Sequence, residues 1–184
     1  MPKLYFRYGT MNSSKTANLL MVAHNYEMQG GKVILLKPCI DTRFGEDIVK
    51  SRAGFSKECD FVLHEHFDVF SIDLENVRCV LVDECQFVLP KHIEQLRFIT
   101  EKVPVMCYGL KSDYKTKLFP GSKRLLELAD SIEEVKTICT KCNKKAIINA
   151  KFTGSKIIKE GSSKPDLGME DKYQAMCWAC WNAA

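Results

Sequence analysis

The chain is 184 residues long, with 46% hydrophobic residues, 27% charged residues and a formal net charge of +4. That length suits one sizeable core plus a small appended unit, and the composition is ordinary for a globular protein. The mild positive bias is compatible with a polyphosphate ligand but too weak to argue for a nucleic-acid surface. No apolar run approaches the roughly 18 residues of a membrane span, so no membrane partner is expected. The opening Met1-Pro2-Lys3 leads into no signal-peptide core, which makes the cytoplasm the expected location, where disulfides are disfavoured.

The first expected strand covers 3–8 and ends at Gly9. Gly9-Thr10-Met11-Asn12-Ser13-Ser14-Lys15-Thr16 follows, close to the phosphate-loop pattern G-x-x-x-x-G-K-[ST], with Ser14 in place of the second glycine. A loop of this kind turns backbone N–H groups toward a phosphate, and the helix after it adds its positive N-terminal end. Lys15 would then reach the β- and γ-phosphates, and the Thr16 hydroxyl would serve Mg²⁺. Taken alone, the pattern also fits a chance strand–turn–helix rich in small residues. Leu19, Val22, Ala23 and Tyr26 recur at helical spacing, and Gly30-Gly31 supplies a stop.

Further strands are expected over 32–36, 61–63, 78–82 and 103–108, with helices over 92–102 and 122–131. Apolar runs without polar alternation suit strands buried on both faces. Strands alternating with helices predict a mostly parallel α/β sheet with helices on both faces. The run before Asp83-Glu84 places two carboxylates at the end of a buried strand, expected to neighbour the loop strand. There the first acid would serve Mg²⁺ and the second would take a proton from an acceptor hydroxyl. Arg43, in Asp41-Thr42-Arg43, either stabilises charge on a transferred phosphoryl group or forms a surface ion pair.

The character changes near Glu134, giving expected units of 1–133 and 134–184. The second holds Cys139-x-x-Cys142 and Cys177-x-x-Cys180, a spacing that fits a tetrahedral, structural Cys₄ zinc site. The other five cysteines, Cys39, Cys59, Cys79, Cys85 and Cys107, read as buried small hydrophobes.

In order and spacing these motifs resemble the zinc-containing thymidine kinase family over nearly the whole chain. The resemblance includes Lys37-Pro38, Ser51-Arg52-Ala53-Gly54, Asp83-Glu84-Cys85-Gln86-Phe87, Tyr108-Gly109-Leu110, Phe119-Pro120-Gly121-Ser122, Phe152-Thr153 and Asp171-Lys172-Tyr173. It implies a P-loop, RecA-like nucleotide-binding unit with a small zinc-stapled lasso unit closing over a nucleoside. It also implies ATP as co-substrate, with Mg²⁺ and structural Zn²⁺. Glu84 would be the general base, Lys15 and Arg43 would contact the transferred phosphate, and Thr16 and Asp83 would hold Mg²⁺. Gly9, Thr10, Met11, Asn12, Ser13, Ser14, Lys15 and Thr16, with Asp83, Glu84, Cys85 and Gln86, would bind the nucleotide. Gln86 would link the acids to the nucleoside pocket rather than do chemistry. Met11, Phe87, Leu110, Tyr114, Thr153 and Tyr173 would line a thymine pocket, and lasso backbone near Asp166 and Gly168 would meet the base. On periodicity alone, Met11, Phe87 and Tyr114 are equally packing residues. The segment 156–169 is longer and more polar than the family pattern. The resemblance further implies a homotetramer inhibited by thymidine triphosphate. The competing readings from the residues are a P-loop ATPase without a small acceptor and a zinc-ribbon nucleic-acid module. The latter has only Lys141, Lys144 and Lys145 as a basic cluster.

Overall fold

The computed structural model describes residues 1–161 and 172–184. The expected base contacts near Asp166 and Gly168 therefore lie outside the described residues. Six strands form one sheet: β1 (Leu4–Tyr8), β2 (Lys32–Pro38), β5 (Phe61–Leu63), β6 (Val77–Val82), β7 (Val105–Gly109) and β8 (Ser131–Glu134). Their order is β5-β2-β6-β7-β1-β8, and every pairing is parallel. A small antiparallel pair, β3 (Ile48–Lys50) with β4 (Ser56–Glu58), lies between β2 and β5 in the chain.

The apolar runs work as the sequence reading requires, because alternate residues bury opposite faces of the sheet. Leu4, Phe6, Ile34, Leu36, Val80, Val82 and Cys107 pack against Ile93 and Leu96 of α2 (Pro90–Ile99) and Leu125 of α3 (Pro120–Leu128). Val33, Leu35, Cys79, Leu81 and Tyr108 meet Leu19, Leu20 and Ala23 of α1 (Lys15–Met28) on the other face. Helices thus cover both faces. Each fully buried aliphatic side chain contributes on the order of 1.5–3 kcal/mol relative to an exposed one.

Where the structure departs from the expected boundaries, the causes are local. Both α2 and α3 begin earlier than expected, at Pro90 and Pro120, where a fixed φ and a missing N–H suit the first helical position. Helix α3 stops at Leu128 because Ala129 is extended, and 131–134 becomes β8 rather than the helix end. The Asp130 carboxylate accepts from the Leu4 N–H at 2.8 Å and pins this new edge strand to β1. The two-glycine stop after α1 behaves as expected: Gly30 has φ +73, and Gly31 N–H donates to the Tyr26 carbonyl at 2.9 Å.

Two further expectations are corrected. Strand β7 separates β6 from β1, so the acid pair does not stand on the strand beside the phosphate-loop strand. Long crossovers leave room for β7 to insert between them. Cys39 is exposed and Cys59 half-buried, because each lies where the chain leaves a strand; Cys79, Cys85 and Cys107 are buried as expected.

Downstream, β9 (Ile148–Thr153) pairs antiparallel with β10 (Lys156–Ile158) and β11 (Tyr173–Met176), and α4 (Trp178–Asn182) follows. Cys139, Ala146, Ile148, Ala150, Met176, Cys177 and Trp181 form their own buried cluster.

Candidate active site

The loop after β1 is shaped by one close approach and two unusual dihedrals. A Cβ on Gly9 would fall 2.4 Å from Ser13 Oγ and 2.5 Å from the Val135 carbonyl, so only glycine fits there. Asn12 has φ 65° and Ser14 φ 61°, both left-handed conformations that cost a residue with a Cβ roughly 1–2 kcal/mol. Ser14 therefore occupies the position where the pattern's glycine would be unstrained. Lys15 opens α1 and folds back over the loop, with Nζ donating to the Thr10 carbonyl at 2.7 Å and to Ser13 Oγ at 3.3 Å. Burial pulls the Lys15 ammonium below its ordinary value, opposed by the charges of Glu84 and Asp83.

The acids meet this loop from the end of β6. The Asp83 N–H donates to Leu36 O at 3.0 Å, and its carboxylate accepts from Thr16 Oγ1 at 3.2 and 3.1 Å. Burial, then the neighbouring Glu84 carboxylate, push Asp83 up to about 7. A hard cation takes oxygen ligands of this kind and reverses that electrostatic penalty, so Thr16 and Asp83 fit Mg²⁺. Glu84 sits at φ 48°, ψ 39°, a strained left-handed backbone.

Glu84 is gripped from both sides. Arg43 Nη2 donates to its Oε1 at 2.5 Å, and Gln86 Nε2 donates to its Oε2 at 2.5 Å. Gln86 is buried, and its own Oε1 accepts the Leu110 N–H at 2.9 Å, tying Glu84 to the end of β7. Arg43 is held in turn by Asp41, with Nε donating at 2.7 Å and Nη2 at 3.2 Å. Burial disfavours the Arg43 charge, but Asp41 and Glu84 more than compensate and raise its pKa. Beneath that loop, buried Lys37 donates to the carbonyls of Gly45 at 3.1 Å and Ile48 at 3.0 Å.

These groups border a cleft of about 460 Å³. Of the residues singled out in the sequence, Met11, Asn12, Ser13, Ser14, Lys15, Thr16, Arg43, Glu84, Gln86, Phe87, Leu110, Tyr114 and Tyr173 line it. Gly9, Thr10 and Asp83 are buried at its root, and Cys85 lies wholly in the core, its thiol pushed far up by burial. Thr153 is not brought in: it ends β9 and is exposed. Phe87 meets Phe119 edge-on at 5.5 Å, and Lys151 Nζ lies 5.0 Å from the Tyr114 ring centre and 5.9 Å from that of Tyr173. Phe119, Ser112, Asp113, Phe44 and Asn149 also line the cleft. Phe119 stood in a recognised motif without a role. Asn149 gave no signal, being one polar residue in an apolar run.

The four paired cysteines converge as well. The sulfurs of Cys139, Cys142, Cys177 and Cys180 all lie within 4.8 Å of one another, against a sulfur–sulfur edge of about 3.8 Å for a tetrahedron with Zn–S near 2.3 Å. The Lys141 N–H approaches Cys139 Sγ at 3.4 Å and the Cys180 N–H approaches Cys177 Sγ at 3.5 Å. Burial disfavours a thiolate at Cys139, yet N–H groups of Cys177, Lys141 and Cys142 outweigh it and bring that thiol down to about 6. An all-sulfur donor set gathered this closely fits structural zinc.

A parallel α/β sheet with a lysine-bearing loop after its first strand, and an acid pair facing that loop, defines a P-loop nucleotide-binding protein. The family model for thymidine kinase matches residues 2–181, and the chain belongs to that family. Its relatives include a thymidine kinase of Streptococcus pyogenes serotype M3 (strain ATCC BAA-595 / MGAS315), 42% identical over 182 residues, covering 96% of this chain and 95% of that one. One from Lactiplantibacillus plantarum is 43% identical over 181 residues, covering 96% and 94%. One from Chromobacterium violaceum is 40% identical over 185 residues, covering 99% of each. Among solved structures, the Pif1 helicase from Candida albicans aligns with a TM-score of 0.42 at 11% identity, over 74% of this chain and 36% of that one. A likeness that distant has no bearing on function.

Two outcomes follow from this geometry. Ser14→Gly should stabilise the protein by about 0.5–1 kcal/mol in urea titrations, the relief of left-handed strain less the entropy glycine adds to the unfolded chain; destabilisation would contradict the strain. Cys142→Ala should abolish stoichiometric zinc in metal analysis of the purified protein and lower its melting temperature by several degrees. Unchanged metal content would remove Cys142 from the donor set.

Proposed function

We propose that the chain transfers the γ-phosphoryl group of ATP to the 5′-hydroxyl of thymidine, and of deoxyuridine as well. The observation that carries this reading is the position of Glu84. It lines the same cleft as the phosphate-loop lysine Lys15 and the aromatic residues Phe87, Phe119 and Tyr114, a setting in which a hydroxyl of a bound nucleoside would face a bound triphosphate.

Each residue then has a defined task. Glu84 accepts the 5′-hydroxyl proton as the oxygen attacks the γ-phosphorus, while the bond to the β,γ-bridging oxygen breaks and ADP leaves. The strained backbone and the two donors at its oxygens fix the direction of that carboxylate. Lys15 and Arg43 stabilise the charge on the transferred group. Thr16 and Asp83 would hold Mg²⁺, which supplies neutralisation of the β- and γ-phosphate charge. Met11, Leu110, Phe87, Tyr114 and Tyr173 supply the nucleoside pocket, with base selection by shape around the methyl group. Thr153 is left without a task, since it lies outside the cleft. Residues 1–133 would then be the nucleotide-binding unit and 134–184 the zinc-stapled unit, and the protein would work in the cytoplasm.

Purified protein given Mg-ATP and a nucleoside panel should phosphorylate thymidine and deoxyuridine, and Glu84→Gln should lower kcat by about 10²–10⁴ while still binding ATP. No turnover of either nucleoside would sink the reading, and near-wild-type turnover by the variant would remove Glu84 from the base role. From family membership we also propose a homotetramer inhibited by thymidine triphosphate, which would span the nucleoside and phosphate sites. Sedimentation as a monomer, or full activity in excess thymidine triphosphate, would refute these two points respectively.

A further inference from the structure

The phosphate loop is strained at two positions. Asn12 and Ser14 are both left-handed without being glycine, and such conformations persist only where the surroundings over-determine them. Within the loop, one backbone bond closes the turn, from Ser13 N–H to Thr10 O at a long 3.3 Å. Besides Lys15 Nζ donating to the Thr10 carbonyl at 2.7 Å, a second short bond to the backbone of this loop comes from far away in sequence. Asn149 Oδ1 accepts the Met11 N–H at 2.7 Å, across 138 positions of chain.

Asn149 is well placed to act as a brace. It lies in β9, the central strand of the three-stranded sheet, opposite Ala175 of β11, in register just before the strand runs into Cys177. Its neighbours Ile148 and Ala150 point to the other face, into the core that contains Cys139 and Cys177. Asn149 is 5% exposed. It borders both the main cleft and a small recess against Tyr8, Gly9 and Thr10, at the root of the loop. An amide oxygen bonded to the Met11 N–H keeps that N–H turned toward β9. Fixing that peptide constrains the course of the loop after it, and Met11 is left on the cleft.

We propose that Asn149 is a positioning residue for phosphoryl transfer: it fixes the Met11 peptide and through it the conformation of the phosphate loop, so the cysteine-stapled sheet sets the geometry of nucleotide binding. This rests on the kinase reading only for its catalytic consequence; its binding consequence stands apart from it.

The test compares the wild-type protein with Asn149→Leu, which is close in size but has no acceptor, and with Asn149→Ala should the larger variant not fold. Mg-ATP and thymidine affinities are measured separately by calorimetry, with melting temperature and zinc content as controls for folding. The kinetic counterpart is KM for ATP and for thymidine, each at saturating partner. Loss of one well-made hydrogen bond should weaken Mg-ATP binding, and raise its KM, by roughly fivefold to tenfold. The thymidine constants should change less. A purely structural residue would lower the melting temperature without this asymmetry. Mg-ATP affinity within twofold of wild type, or a loss falling equally or mainly on thymidine, overturns the proposal. Should the wild-type protein bind Mg-ATP but phosphorylate no nucleoside, the kinase reading fails while the calorimetric comparison still decides the role of Asn149.

Discussion

Parallel pairing is the constraint on which the rest depends. Every strand of the six-stranded sheet runs the same way, so every carboxyl end opens on the same edge. β1 delivers the phosphate loop there, β2 delivers Asp41 and Arg43, β6 delivers Asp83 and Glu84, and β7 delivers Leu110. Residues up to about a hundred positions apart thereby meet without any special long-range device. The cleft lies where the strand ends and the following loops leave a crevice above the sheet.

That convergence creates an electrostatic problem, since three acids, a lysine and an arginine share one poorly hydrated corner. Pairing and hydrogen bonding resolve it. Arg43 bridges Asp41 and Glu84, Gln86 occupies the remaining Glu84 oxygen, and Lys15 is bonded to its own loop. Asp83 keeps the strongest residual penalty, having Thr16 as its side-chain donor but Glu84 as its neighbour. A divalent cation would relieve it. That charge pattern suits the metal–phosphate complex of the proposed reaction, and the carboxylates are oriented by their hydrogen-bond donors.

Legibility in the sequence followed signal strength. The strands β1, β2, β6 and β7 and the three main helices carry strong apolar patterning, and the sequence reading places them to within a few residues. β8 was not: Ser131–Glu134 has one apolar residue, which is exposed, and its place is set by pairing with β1 and by Asp130. The same logic separates site residues. Lys15, Asp83 and Glu84 are fixed by motif spacing on single elements. Thr153 sat beside Phe152 in a recognisable pair, yet the β9 hairpin carries it outward. Asn149, four positions earlier on the same strand, reaches the loop instead.

The sequence by itself determined the α/β class, the phosphate loop, the acid pair and the two cysteine pairs, because each is written in local spacing or apolar periodicity. Only the tertiary structure decided that β7 stands between the loop strand and the acid strand, that Arg43 reaches Glu84, that Gln86 meets Leu110, and that Asn149 accepts the Met11 N–H. Those relations join residues 24 to 138 positions apart. Nothing in local patterning encodes which distant strands become neighbours; that is settled when the whole sheet pairs and both its faces are buried.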